Sequence, residues 1–167
     1  KLITKIQMKR SEINTIIIEA KDFCKKHNFN LPPFAFWSVQ DWKNKDKEKV
    51  NEIITHSLGW DITDFGLGDF KKTGICIFTI RNGSPDNLKS GKGKLYAEKV
   101  FFLYENQEVP LHYHWIKVED IINRAGGDIG VRLYNSTKDD DLDNTNIITS
   151  IDGEKVDIEA GKELFLK

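Results

Sequence analysis

His112-Tyr113-His114, followed by Trp115-Ile116-Lys117-Val118-Glu119, gathers two imidazoles, an ammonium and a carboxylate into eight consecutive residues. Alternate residues of a strand share a face, so on a strand His112 and His114 point to the same side and their ring nitrogens can meet at one ion. Two neutral histidines with one carboxylate suit zinc, manganese, iron or nickel. Glu119 stands seven positions after His112, an odd offset that requires a bend or a strand end near Trp115 to Lys117. Two histidines at alternate positions also occur on exposed strands with no metal. Pro110 and Leu111 before the pair and Trp115 after it point to a half-buried strand, where imidazoles need partners, and Glu119 supplies a third ligand close by. Lys117 reads either as a solvated strand-end lysine or as a cation beside the metal that holds or protonates a substrate oxygen.

Other chemical-looking stretches have blander readings. Asp139-Asp140-Asp141-Leu142-Asp143 has alternating carboxylates, but Asn144 and Ser150 stand where a calcium loop needs glycine and glutamate, so it reads as a solvated turn. Gly91-Lys92-Gly93-Lys94 lacks the full phosphate-cradling pattern and reads as a hairpin turn. Asn82-Gly83-Ser84 and Asn135-Ser136-Thr137 read as turns as well. His27 and His56 fall near predicted helix ends, where imidazolium favours the negative pole of the helix dipole.

These groups need a scaffold, and the composition bounds it. The 167 residues fit one domain able to bury a core, and the 25 basic and 26 acidic side chains nearly cancel. No basic block interleaves with aromatics, so a nucleic-acid footprint is not expected. Cys24 and Cys76 are far apart and read as buried free thiols. No apolar run reaches membrane-spanning length and Lys1-Leu2-Ile3-Thr4-Lys5 does not read as a signal peptide, which sets a cytoplasmic expectation. Ile13, Ile16, Ile17, Ala20, Phe23 and Cys24 recur at helical spacing and predict a helix from about Lys9 to His27 with Ser11 as N-cap. Leu31-Pro32-Pro33 ends it before an extended aromatic stretch, Phe34 to Trp37. Ser38 and Asp41 offer new helix starts. A second helix runs from about Gln40 to Ser57, with Trp42, Val50, Ile53 and Ile54 toward the core.

Residues 59–74 read as irregular but anchored by Trp60, Phe65, Leu67 and Phe70. Strands are expected at Ile75 to Arg81, Leu95 to Tyr104, Val109 to Trp115, Ile129 to Tyr134, Asn146 to Ile151 and Glu163 to Leu166. Helices followed by strands make an α+β, mainly β plan, a small barrel or sandwich with helices outside. Of the neighbours Glu98 and Lys99, only one can face a barrel interior.

His112-X-His114, Glu119 after four intervening residues and Gly126 after six more resemble the first motif of the cupin superfamily, with Asn106 where that motif opens on glycine. The longer run from Tyr96 through Trp115, then Lys117-Val118-Glu119-Asp120-Ile121-Ile122-Asn123-Arg124-Ala125-Gly126-Gly127, resembles the D-lyxose isomerase family within the cupins. Leu31-Pro32-Pro33-Phe34-Ala35-Phe36-Trp37-Ser38 and the early helices resemble that family's N-terminal extension. The resemblance implies a double-stranded antiparallel β-barrel over residues 74–167 behind a helical extension over 1–73, as one domain. It implies a homodimeric aldose–ketose isomerase interconverting D-lyxose and D-xylulose, and commonly D-mannose and D-fructose, with manganese or a similar divalent ion. His112, His114 and Glu119 would be metal ligands, and Lys117 a substrate contact or proton-transfer group. The family has a further histidine ligand and an acidic base later in its sequence, so the barrel and the site are expected to be incomplete within residues 1–167. Two rival chemistries remain open at this point: an iron-dependent cupin oxygenase, since the same donor set suits non-haem iron, and a non-catalytic sugar-binding cupin.

Overall fold

The computed structural model describes residues 8–167; the stretch Lys1 to Lys5, read above for a signal peptide, lies outside the described residues. Two compact units divide the chain, the first running to Tyr113 and the second from His114 to Lys167.

In the first unit, helix α1 spans Arg10–Lys26, within a residue of the range predicted from spacing. Its buried positions, Ile16, Ala20 and Cys24, lie four apart and form one line along the helix. Phe23 is 39% exposed and packs on His27 instead, with ring centroids 4.3 Å apart. Ser11 is not the N-cap. The backbone is extended at Lys9, which takes that position, and the Ser11 carbonyl accepts the Thr15 hydroxyl at 3.1 Å inside the first turns.

The aromatic stretch expected to be extended forms a 3₁₀ turn at Pro33–Phe36, which a proline at its start favours by fixing φ. The single helix expected from Gln40 to Ser57 is two short ones, α2 at Val39–Lys43 and α3 at Asn51–Thr55. α2 opens on a capping box in which the Ser38 hydroxyl accepts the Asp41 N–H at 3.1 Å and the Asp41 carboxylate accepts the Ser38 N–H at 2.8 Å. The break between the helices falls where Asp46 accepts the Glu48 N–H at 3.0 Å, a local bond that competes with helix continuation. Of the predicted core face only Val50 is buried, whereas Trp42 and Ile54 remain exposed.

Strands β1 (Gly59–Thr63), β2 (Ile75–Arg81) and β3 (Glu98–Phe102) form one antiparallel sheet in that order. β2 has the predicted bounds; β1 lies in the stretch read as irregular. Cross-strand partners Trp60 and Phe78, Ile62 and Cys76, Phe78 and Val100, and Cys76 and Phe102 share a face. That face packs with the α1 line in two adjoining clusters, one around Ile16, Ala20, Phe70 and Cys76, the other around Cys24, Leu31, Ala35 and Phe78. The Trp60 indole N–H donates to the Ala35 carbonyl at 3.0 Å, so its polar edge is satisfied within the apolar layer. Glu98 pairs with Arg81, and Lys99 stands opposite Thr79 on the other face. Between β2 and β3, helix α4 (Pro85–Ser90) is capped by Ser84 and closed by Gly91 with φ 64°. Gly91 to Lys94 therefore follows a helix end, not a hairpin, because the left-handed glycine terminates α4.

The second unit holds three antiparallel pairs: β4 (Ile129–Arg132) with β9 (Glu163–Leu166), β5 (Asn135–Ser136) with β6 (Leu142–Asp143), and β7 (Ile147–Ile151) with β8 (Glu154–Ile158). β7 and β8 turn at Asp152-Gly153, whose φ values of 51° and 87° suit the tight hairpin of a right-twisted ribbon. The paired Ile147 and Ile158 are its buried residues. Of the acidic run, Asp139 to Asp141 lie in the turn between β5 and β6 and Leu142-Asp143 are β6 itself; Thr137 Oγ1 holds the turn by accepting the Asp139 and Asp141 N–H groups at 3.3 and 3.1 Å. The chain is thus α+β, with mainly antiparallel strands in small sheets. Among the described residues these pairings do not close into a barrel. No described helix is long and apolar enough to cross a membrane.

Candidate metal centre

The expected strand from Val109 to Trp115 is absent: residues 109–128 carry no helix or strand. Pro110 accounts for this locally, since it has no N–H to give to a ladder and its φ is fixed. The approach to the histidines is pinned instead by isolated bonds. Asn106, in the place of the motif's glycine, has φ 58°, a left-handed turn that asparagine tolerates better than other side chains. Gln107 spans the turn with its amide, accepting the Tyr104 N–H at 3.0 Å and donating to the Phe70 carbonyl. Glu108 then forms a parallel bridge with Thr73, donating to the Lys72 carbonyl at 2.9 Å and accepting the Gly74 N–H at 3.1 Å. Gly74 is required there, because a β-carbon would lie 2.7 Å from the Phe70 ring and carbonyl oxygen. Beyond Glu119, Asn123 donates to the Gly127 and Leu166 carbonyls at 2.9 and 3.0 Å, fastening this irregular segment to β9.

His112 Nδ1 lies 2.8 Å from the Pro110 carbonyl oxygen. A carbonyl only accepts, so Nδ1 carries the proton in the neutral ring and Nε2 is its basic nitrogen. The sequence reading missed this orienting carbonyl, which depends on backbone geometry that residue types do not encode. His114 Nε2 stands 3.4 Å from one Glu119 oxygen, and the other Glu119 oxygen pairs with the Lys117 ammonium. His114 and Glu119 side chains are one third exposed and Lys117 about half, so the centre is open to solvent.

One ligand atom from each of His112, His114 and Glu119 falls within 4.8 Å of the others. Two bonds of about 2.1 Å to a shared ion place their donor atoms at most about 4.2 Å apart. The His114–Glu119 separation of 3.4 Å meets that limit, and the set as a whole needs a closure of no more than about 0.6 Å. Nitrogen and carboxylate donors of this kind fit a borderline or hard divalent ion. Strand alternation does not align His112 and His114, because residues 109–128 are irregular.

The other candidates stay apart from this chemistry. His27 and His56 occupy the C-cap positions of α1 and α3. Cys24 and Cys76 are buried free thiols, and burial pushes Cys76 up to about 12, far from a reactive thiolate.

The family model described as D-lyxose isomerase matches residues 8–167. A D-lyxose/D-mannose isomerase of Serratia proteamaculans is 41% identical over 159 residues, covering 95% of this chain and 69% of that protein. A D-lyxose/D-mannose isomerase of Escherichia coli O157:H7 is 40% identical over the same length and with the same coverage.

Proposed function

Because the chain belongs to the D-lyxose isomerase family and is a sugar isomerase, we propose that it interconverts D-lyxose with D-xylulose and D-mannose with D-fructose at the His112, His114 and Glu119 centre. The observation that carries this reading is the convergence of their three ligand atoms within 4.8 Å. In the proposal these residues hold a divalent ion, manganese by the resemblance, and the protein is a homodimer. When bound, such an ion supplies Lewis-acid polarisation of the sugar's carbonyl and neighbouring hydroxyl oxygens.

The residues' own parts follow from their chemistry. Aldose and ketose differ by one proton moved between adjacent carbons and one between their oxygens, so the exchange passes through an enediol of the sugar with no net oxidation. Lys117 Nζ donates to the sugar oxygen on which negative charge grows, a task suited to a compact ammonium with three donors. The Pro110 carbonyl keeps His112 in the tautomer whose Nε2 faces outward from it. Architecturally, the proposal is one cupin-type domain over residues 1–167, with a helical extension at 1–73 and the barrel strands at 74–167. The family resemblance and the antiparallel pairing of all nine strands among the described residues support it.

Turnover in D₂O tests the chemistry. Proton transfer through solvent-exchanging groups predicts ketose carrying one deuterium at the carbon that receives the proton, with no oxygen consumed. Oxygen uptake on adding iron, with no ketose formed, would replace the isomerase reading by an oxygenase.

A further inference from the structure

Glu119 faces both Lys117 and His114. One of its carboxylate oxygens pairs with the Lys117 ammonium, and the other faces His114 Nε2 at 3.4 Å. If Glu119 ligates an ion, its negative charge cannot serve both cations fully, and a unit positive charge two residues along the chain would lie within a few ångströms of a doubly positive one. Resting on the metal reading above, we infer that Lys117 is a built-in competitor for the metal: its ammonium occupies the Glu119 carboxylate before an ion binds and leaves it when one does. The same exchange links two events of the reaction. An ammonium held by Glu119 is spent on an internal ion pair, whereas one displaced by an ion is free to turn toward a sugar oxygen. The substrate-binding cation is thus delivered only by a loaded centre, which keeps an unloaded one from holding sugar unproductively.

The opposite role is also physically coherent. Lys117 and Glu119 are two residues apart and both partly exposed, so the pair could instead hold the carboxylate in position for the ion, and losing it would loosen a ligand. The two roles predict opposite signs for the effect of Lys117 on metal affinity, and the sign is measurable without catalysis.

The test is Mn²⁺ binding to the full chain without sugar, followed by the electron paramagnetic resonance signal of the free ion, for wild type, Lys117→Gln, Lys117→Arg and His114→Ala. Competition predicts that Lys117→Gln binds Mn²⁺ about three- to tenfold more tightly, the scale expected for removing one half-exposed ion pair and one nearby like charge. Lys117→Arg, which keeps the charge, stays within about twofold of wild type, and the advantage of Lys117→Gln shrinks as salt rises. Equal or weaker binding by Lys117→Gln overturns the competition while the metal reading stands, provided His114→Ala abolishes uptake. Absence of uptake by wild type, or uptake unaffected by His114→Ala, overturns both.

Discussion

Replacing Phe78 by alanine should remove the largest single contribution to the layer that α1 makes with the three-stranded sheet. Phe78 is wholly buried, and its ring centroid lies 4.8 Å from that of Trp60 and 5.2 Å from that of Phe34. A phenylalanine buries about 150–250 Å², which at roughly 25 cal/mol per Å² gives about 4–6 kcal/mol as an upper bound. Alanine keeps only the β-carbon, and the surrounding rings cannot easily collapse into the space. Large-to-small substitutions of this kind cost about 3–5 kcal/mol, so a loss near 4 kcal/mol is expected, with the two ring contacts included in it. For a chain of 167 residues that corresponds to a fall in Tm of about 8–16 °C. Urea titration followed by tryptophan fluorescence reads the effect, since Trp60 meets the mutated ring edge-on. Phe78→Leu, which refills most of the volume, should cost only about 1–2 kcal/mol. A loss below about 1.5 kcal/mol for Phe78→Ala, or the same loss for both variants, would refute the packing argument.

Three further outcomes follow from the same physical reasoning. Burial, with smaller contributions from Asp61 and Cys24, raises the Cys76 thiol from 9.0 to about 12; the folded state therefore holds a proton that the unfolded chain releases, and stability should fall as pH rises from about 9 toward about 12. Equilibrium unfolding across that range should show a shallower decline in Cys76→Ala. Asn106→Gly should be neutral or slightly stabilising, whereas Asn106→Val should cost about 1–2 kcal/mol by thermal melting, because φ is 58° there and a β-branched residue is strained in that region. Ser38→Ala should lose about 0.5–2 kcal/mol through the capping box of α2, with Ser38→Asp recovering most of it.

The α1 helix, β2 and β9 were legible because their apolar spacing is regular and unbroken by competing local bonds. β1 and β8 were not. Glycines and aspartates around Gly59–Thr63 hide a strand whose apolar members, Trp60 and Ile62, become meaningful only opposite Phe78 and Cys76. β8 is mostly charged, and its clearest signal is the Asp152-Gly153 turn that fixes its register with β7. The long second helix failed because the Asp46 side chain bonds to the nearby backbone. At the candidate site, residue chemistry singled out His112, His114, Glu119 and Lys117, and the fold brings them together. The strand that was to align them is missing, since Pro110 and the bonds of Gln107, Glu108 and Asn123 replace a ladder with point fastenings. Such fastenings depend on which backbone groups meet, and periodicity carries no trace of them.

The most direct test of the central claim is ketose formation from D-lyxose and D-mannose by the full chain, stripped with chelator and then titrated with Mn²⁺, for wild type and His114→Ala. The account predicts turnover that vanishes on stripping, returns with about one Mn²⁺ per chain as expected for a single ion at the His112, His114 and Glu119 centre, and stays lost in His114→Ala at every Mn²⁺ concentration. Undiminished ketose formation by the stripped wild type, or by His114→Ala, would contradict it.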